Sequence, residues 1–207
     1  MDSPLRVTPE PIHIADPAVL ELLPHLGTMQ GRNTRYEKSL AEVDGLYLDA
    51  AAFDAALADD DGEPVYWVES SILEEGPGAL TVGISVLEPG CIGSEFYMTR
   101  GHLHARPECA EVYYALVGHG VMLIETFDGR SATVELRAGQ AVHIPGHSVH
   151  RSVNVGSDRF ATLFCYPTEA GQDYDVIRRA GGMKQMVIAD GDSWTSCPNP
   201  RHRGYRV

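Results

Sequence analysis

Two histidine-bearing segments limit what this chain can fold into. The first reads Gly101-His102-Leu103-His104 and continues to Glu111 and Gly118. The second runs from Gly139 through Pro145-Gly146-His147-Ser148-Val149-His150 to Asn154. Side chains alternate along an extended strand, so His102 and His104 face the same way. Glu111 opens a strand-like run, Glu111-Val112-Tyr113-Tyr114-Ala115-Leu116-Val117. Two residues from one strand, one from the next and one from a later hairpin then converge on one ion, which a β-barrel allows. Three imidazoles and a carboxylate suit Mn, Fe, Co, Ni or Zn better than Mg or Ca. The His-x-His pair alone is a weak signal; the ordered second segment is what gives it weight.

Two acids compete to complete the ligand set. Glu108 follows Pro107, and proline disfavours a ladder position, so Glu108 is expected on a solvated loop. Glu111 opens the apolar run and shares a strand face with Tyr113, which places a phenol beside the metal. Glu111 is therefore the better candidate of the two acids. His143 reads as an ordinary strand residue and His119, between two glycines, as a turn residue. His13, His25 and His202 lie outside both segments.

The chain of 207 residues suits a single domain, with 43% hydrophobic residues to form its core. A formal charge of −13 argues against nucleic acid or an anionic membrane as a general partner. Cys91, Cys109, Cys165 and Cys197 show no Cys-x-x-Cys spacing and read as reduced thiols of a cytoplasmic protein. The first 25 residues carry no apolar stretch fit for export or for spanning a bilayer.

Residues 1–15, with Pro4, Pro9 and Pro11, read as an extended arm. Asp16-Pro17 suggests a capped short helix through Leu23, and a second helix is expected from Asp49 to Ala58. From Pro64 onward the texture changes: strand-like runs open at Val65, Ala79, Glu95, Glu111, Val121, Ala132, Ala141, Val149 and Phe160. Asp128-Gly129 marks a hairpin turn. Met186 to Ile188 offers a last strand before an irregular Pro- and Arg-rich end. Residues 1–62 are read as an arm and short helices packing on a barrel of residues 63–168, with 169–207 a C-terminal extension of the same domain.

These residues resemble the cupin superfamily, and within it the metal-dependent, cupin-type phosphoglucose isomerases. Thr99-Arg100-Gly101-His102-Leu103-His104-Ala105, Ala110-Glu111-Val112-Tyr113 and His150-Arg151-Ser152-Val153-Asn154 carry the likeness. Cys165-Tyr166-Pro167, Ala170-Gly171 and Val43-Asp44-Gly45-Leu46-Tyr47-Leu48-Asp49 extend it. The resemblance implies an all-β fold, a cupin double-stranded β-helix (jelly-roll barrel) with short N-terminal helices. It implies His102, His104, Glu111 and His150 as ligands of one divalent transition metal per subunit, Fe or Mn ahead of Zn, Ni or Co, and a homodimer. It further implies Ser85, Thr99 and Gly101 around a substrate phosphate, Tyr66, Tyr113 and Tyr166 lining the sugar pocket, and Glu111 with Tyr113 as catalytic groups. Ser85 stands where close family members carry Thr. His147 and Gln172 stand where many carry Tyr and His, changes expected at the pocket wall.

The implied activity interconverts glucose 6-phosphate and fructose 6-phosphate. It moves a hydrogen between C2 and C1, as a proton carried by Glu111 or as a hydride shift promoted by the metal, while a divalent cation steadies charge on the neighbouring oxygens. Two rival readings keep the barrel. One changes the reaction, to another sugar-phosphate isomerase or epimerase or an Fe-dependent dioxygenase; the other leaves a non-catalytic sugar-binding protein.

Overall fold

Residues 16–206 are described by the computed structural model; the arm expected over residues 1–15 lies outside them. Fifteen strands follow in chain order among the described residues. They begin β1 (Glu21–Leu23), β2 (Thr28–Gln30), β3 (Thr34–Ser39), β4 (Pro64–Ile72) and β5 (Leu80–Leu87). The next are β6 (Cys91–Ile92), β7 (Glu95–Phe96), β8 (Glu111–Val117), β9 (His119–Thr126) and β10 (Ser131–Arg137). The last are β11 (Ala141–Ile144), β12 (Ser148–Asn154), β13 (Phe160–Pro167), β14 (Gln185–Asp190) and β15 (Ser193–Pro198). Helices α1 (Ala50–Ala58) and α2 (Asp175–Arg179) are the α-helices among these residues. The fold is all-β, and every strand pairing is antiparallel.

Two sheets form the container. One runs β11-β8-β13-β5-β4-β3 and the other β10-β9-β12. Tyr113, Ala115, Phe160 and Phe164 of the first meet Met122 and Leu136 of the second in one buried cluster. The period-two pattern explains this: Glu111, Tyr113 and Ala115 turn inward while Val112 and Tyr114 turn to solvent. Asp128-Gly129 makes the expected turn between β9 and β10, with Gly129 at φ 86°.

The N-terminal region departs from expectation in part. Helix α1 forms where expected, its Asp49 side chain accepting from the Ala52 amide at 2.9 Å. The helix expected from Asp16 to Leu23 is absent; β1 forms there instead and pairs with β2. Leu20, Leu22 and Met29 cover the outer face of the large sheet against Trp67, Ile84 and Val86. That burial outweighs the local capping signal. A strand unforeseen in the sequence, β3, pairs along β4 and extends the sheet over the mouth of the container. The tail is more regular than expected, since β15 pairs along the whole of β14.

Candidate metal centre and pocket

A β-bulge delivers the histidine pair to the site. The segment 98–102 lies against β12 through bridges Met98↔Val153 and His102↔His150, so five residues face four. Gly101 absorbs the extra residue at φ 70°, and a Cβ there would sit 2.7 Å from the His150 carbonyl oxygen. His102 and His104 therefore sit on an extended segment held by single bridges rather than on a regular strand. Both still turn to the same point.

One ligand atom from each of His102, His104, Glu111 and His150 lies within 4.8 Å of the others, and all four residues are buried. Glu111 Oε2 is 3.0 Å from His150 Nε2, 3.4 Å from His104 Nε2 and 3.8 Å from His102 Nε2. His104 Nδ1–H donates to the Cys109 carbonyl at 2.9 Å, and His150 Nδ1–H donates to the Ser148 carbonyl at 3.1 Å. These bonds fix the tautomers so that each Nε2 presents its lone pair inward. The buried Nε2 atoms of His102 and His104 have no hydrogen-bond partner. Buried acceptors aimed at a buried carboxylate repel one another unless a cation lies among them. The donor set therefore fits a divalent transition metal.

The electrostatics agree. Burial pushes the Glu111 carboxyl upward, but hydrogen bonds from His104 and His150 when those rings carry a second proton, with the charge of His150 and His102, outweigh it and hold it at about 2; a bound cation takes the place of those protons. Burial and the neighbouring His150 lower His102, keeping its imidazole neutral as a ligand must be. Burial and the adjacent Glu111 hold the Tyr113 phenol well above its ordinary value, so it remains protonated.

The cluster opens into a cavity of about 270 Å³. Tyr66, Ser85, Thr99, Gly101, Tyr113 and Tyr166, expected from the sequence, all line it. Thr34, Arg35 and Tyr36 of β3, with Phe164 and Tyr174, line it too and were not anticipated. Neither β3, which reaches the pocket through its pairing with β4, nor Tyr174, which α2 brings back over the mouth, carries a local signal. Gln172 lines the pocket, as its family comparison suggests, whereas His147 does not. His147 is exposed in a left-handed turn at φ 63° and borders a separate depression with Leu103 and Pro107. His119 opens β9 rather than forming a turn, because pairing with Arg137 sets it in the ladder, with its Nε2 2.8 Å from Glu135 Oε1. Glu108 is exposed, as expected, and His143 is an exposed residue of β11. Arg100 lines the pocket mouth, its guanidinium 5.0 Å from the Tyr174 ring centre. The four cysteines are free thiols, and no helix of the described residues is long and apolar enough to cross a membrane.

A barrel of antiparallel strands holding a buried three-histidine, one-glutamate cluster defines a cupin-type metal site. Residues 37–202 match the family model of glucose-6-phosphate isomerase (GPI), and the chain belongs to that family. A glucose-6-phosphate isomerase of Sinorhizobium medicae is 36% identical over 189 residues, covering 91% of this chain and 88% of the relative. One from Thermococcus gammatolerans is 38% identical over 167 residues, covering 81% and 87%. One from Pyrococcus furiosus is 37% identical over 164 residues, covering 79% and 86%. Among solved structures, an oxalate oxidase aligns over 57% of this chain and 59% of its own, at 18% identity and a TM-score of 0.46.

Proposed function

We propose that this isomerase interconverts glucose 6-phosphate and fructose 6-phosphate at the His102–His104–Glu111–His150 cluster, with one divalent metal per subunit, Fe or Mn ahead of Zn, Ni or Co. The observation that carries the reading is the set of converging, tautomer-fixed lone pairs at the foot of a polar, tyrosine-lined cavity. When bound, the cation supplies Lewis-acid stabilisation of negative charge developing on the sugar oxygens.

This chain's residues divide the remaining work. Ser85, Thr99 and the Gly101 amide offer neutral donors to phosphate oxygens, and Gly101 lets the backbone approach closely. Arg100 adds positive charge at the mouth. Tyr66 and Tyr166 wall the sugar. Glu111, ionised at neutral pH, accepts the proton leaving C2 on a carboxylate oxygen and returns it to C1, while the hydroxyl proton of O2 passes to O1. Tyr113, protonated beside Glu111, donates a hydrogen bond to the oxygen on which charge gathers.

The test is a coupled glucose 6-phosphate isomerase assay on purified protein, after chelation and after separate return of Mn, Fe, Co, Ni and Zn. Activity lost on chelation and regained with Fe or Mn supports the reading. Activity indifferent to chelation sinks it.

We propose further that residues 1–62 and 169–207 form one domain with the 63–168 barrel. Support comes from the packing of Leu40, Val43 and Phe53 with Val153 and Val187 in a single cluster. Two copies pair through the outer face of the large sheet, where Val112 and Tyr114 are 41% and 40% exposed. Light scattering showing a monomer would refute the dimer. The cytoplasm is the compartment that suits the substrate and the free thiols.

A further inference from the structure

Within the bulge that carries Gly101, the Arg100 carbonyl lies outside the backbone ladder with β12. The N–H groups around it are paired. Thr99 N–H donates to the Ser152 carbonyl at 3.0 Å, Ser152 N–H donates to Thr99 Oγ1 at 3.1 Å, and His102 N–H donates to the His150 carbonyl at 3.0 Å. The Arg100 carbonyl instead accepts from Arg151 Nη2 at 2.7 Å. Arg151 is 6% exposed and is the chain neighbour of His150. Its Nη1 points to Met98 Sδ at 2.9 Å and its Nε is buried without a partner. Among the described residues no carboxylate lies within 4.0 Å of it. A Cβ on Gly101 would lie 2.9 Å from Arg151 Cβ, so the segment rests directly on this side chain.

A buried arginine without a carboxylate is costly to keep. A hydrophobic residue of similar length would fill the space and avoid that cost. A second cavity, of about 360 Å³, is bordered by Arg151. Glu42, Asp44 and Glu95 line it opposite Arg100, Arg151, Arg178 and Arg201. Those acids offset the arginines, so the cavity itself is a poor anion site. What distinguishes Arg151 is its position beneath the 99–101 segment.

We propose that Arg151 is a positioning residue for the substrate phosphate. It ties down the bulge carbonyl, fixes the Thr99 hydroxyl and Gly101 amide toward the pocket, and sets a buried positive charge behind them. The inference rests on the phosphate role given above to Thr99 and Gly101. Lysine at this place keeps the charge but lacks the planar fork that spans Met98 and the Arg100 carbonyl.

The experiment compares wild type, Arg151→Met and Arg151→Lys, each loaded with metal. Metal content, thermal unfolding, inorganic phosphate affinity by calorimetry, and kcat and KM for glucose 6-phosphate are measured. In Arg151→Met, phosphate binding weakens and KM rises by about tenfold, equivalent to about 1.4 kcal/mol. Its kcat stays within about threefold and its metal content is unchanged. Arg151→Lys recovers part of the phosphate affinity. Unaltered phosphate affinity in Arg151→Met overturns the proposal, as does a loss confined to melting temperature and metal content. If Arg151→Met does not fold, phosphate affinity in Arg151→Lys equal to wild type overturns it as well. A wild-type protein that neither binds phosphate nor turns over the sugar refutes the site reading instead, so the two failures are distinct.

Discussion

Glu111 Oε2 lies 3.0 Å from His150 Nε2, and the other ring nitrogen of His150 is already committed to the Ser148 carbonyl. A neutral imidazole so fixed turns a lone pair, not a proton, toward the carboxylate. A cation between them resolves the repulsion. Glu111→Gln should therefore lose metal and lower kcat/KM by at least about 10²-fold, the low end of what general acid–base groups contribute. Metal analysis alongside the isomerase assay checks both. Full activity in the variant would remove Glu111 from proton transfer.

Metal binding should also stabilise the fold, since the ligands come from separate segments that only the folded chain assembles. At free metal about a thousandfold above Kd, the gain is about 4 kcal/mol. Thermal unfolding with and without chelator measures it. The gain should shrink as pH falls, because histidine ligands must be neutral to bind. Superimposable melting curves at pH 7.5 would count against a metal site.

Gly101→Ala should inactivate the enzyme with little change in secondary structure. The residue occupies φ 70°, and the added Cβ would meet the His150 carbonyl at 2.7 Å and Ile177 Cδ1 at 2.8 Å. Relief requires moving Gly101 or β12, and either shift displaces a histidine of the cluster. Metal affinity and KM both report it, and wild-type values for both would refute the bulge argument.

Asn154, fully buried, closes the turn after β12. Its Nδ2 donates to the Leu87 carbonyl at 3.1 Å and the Asp158 carbonyl at 2.9 Å, while its Oδ1 accepts from Gly156 N–H at 3.0 Å. Asn154→Ala leaves those buried groups unsatisfied and should destabilise by about 2–4 kcal/mol. Urea unfolding measures the loss. Asn154→Asp should also destabilise, since a carboxylate oxygen cannot donate to the two carbonyls.

Glu69 fastens the N-terminal strands to the large sheet through Met29 N–H at 2.9 Å, Thr28 Oγ1 at 2.8 Å and Arg35 Nη1 at 3.0 Å. Burial raises its carboxyl, but those donors outweigh burial and hold it below the ordinary 4.5. Its contribution is thus present above pH 4.5 and is lost as pH falls through the folded-state value. Glu69→Gln should cost about 1–3 kcal/mol at pH 7. The difference from wild type should narrow below pH 4.5. A difference independent of pH down to 3 would show that the charge is not responsible.

The site was legible in the sequence because its geometry is local. The His102-x-His104 alternation, the inward phase of Glu111 and Tyr113, and the turn before His150 each follow from a two-residue period or a loop of a few residues. The same holds for α1, where Asp49 caps a run of good helix formers. Between Asp16 and Leu23 local rules pointed to a helix, and the wish of Leu20 and Leu22 to cover Trp67 and Ile84 decided for strand. Strand β3 and Tyr174 line the pocket through long-range pairing and chain return, which leave no mark within a short window. His147 sits in the second motif, yet its left-handed turn aims it away from the cavity.

What the sequence by itself determined is the inward phase of the ligand strands and hence the chemistry of the donor set. Only the tertiary structure decided the bulge at Arg100-Gly101, the arginine beneath it and the far wall of the pocket. The reason is physical: alternation is set by neighbouring backbone torsions, while these features depend on which distant strand supplies the opposing hydrogen bonds.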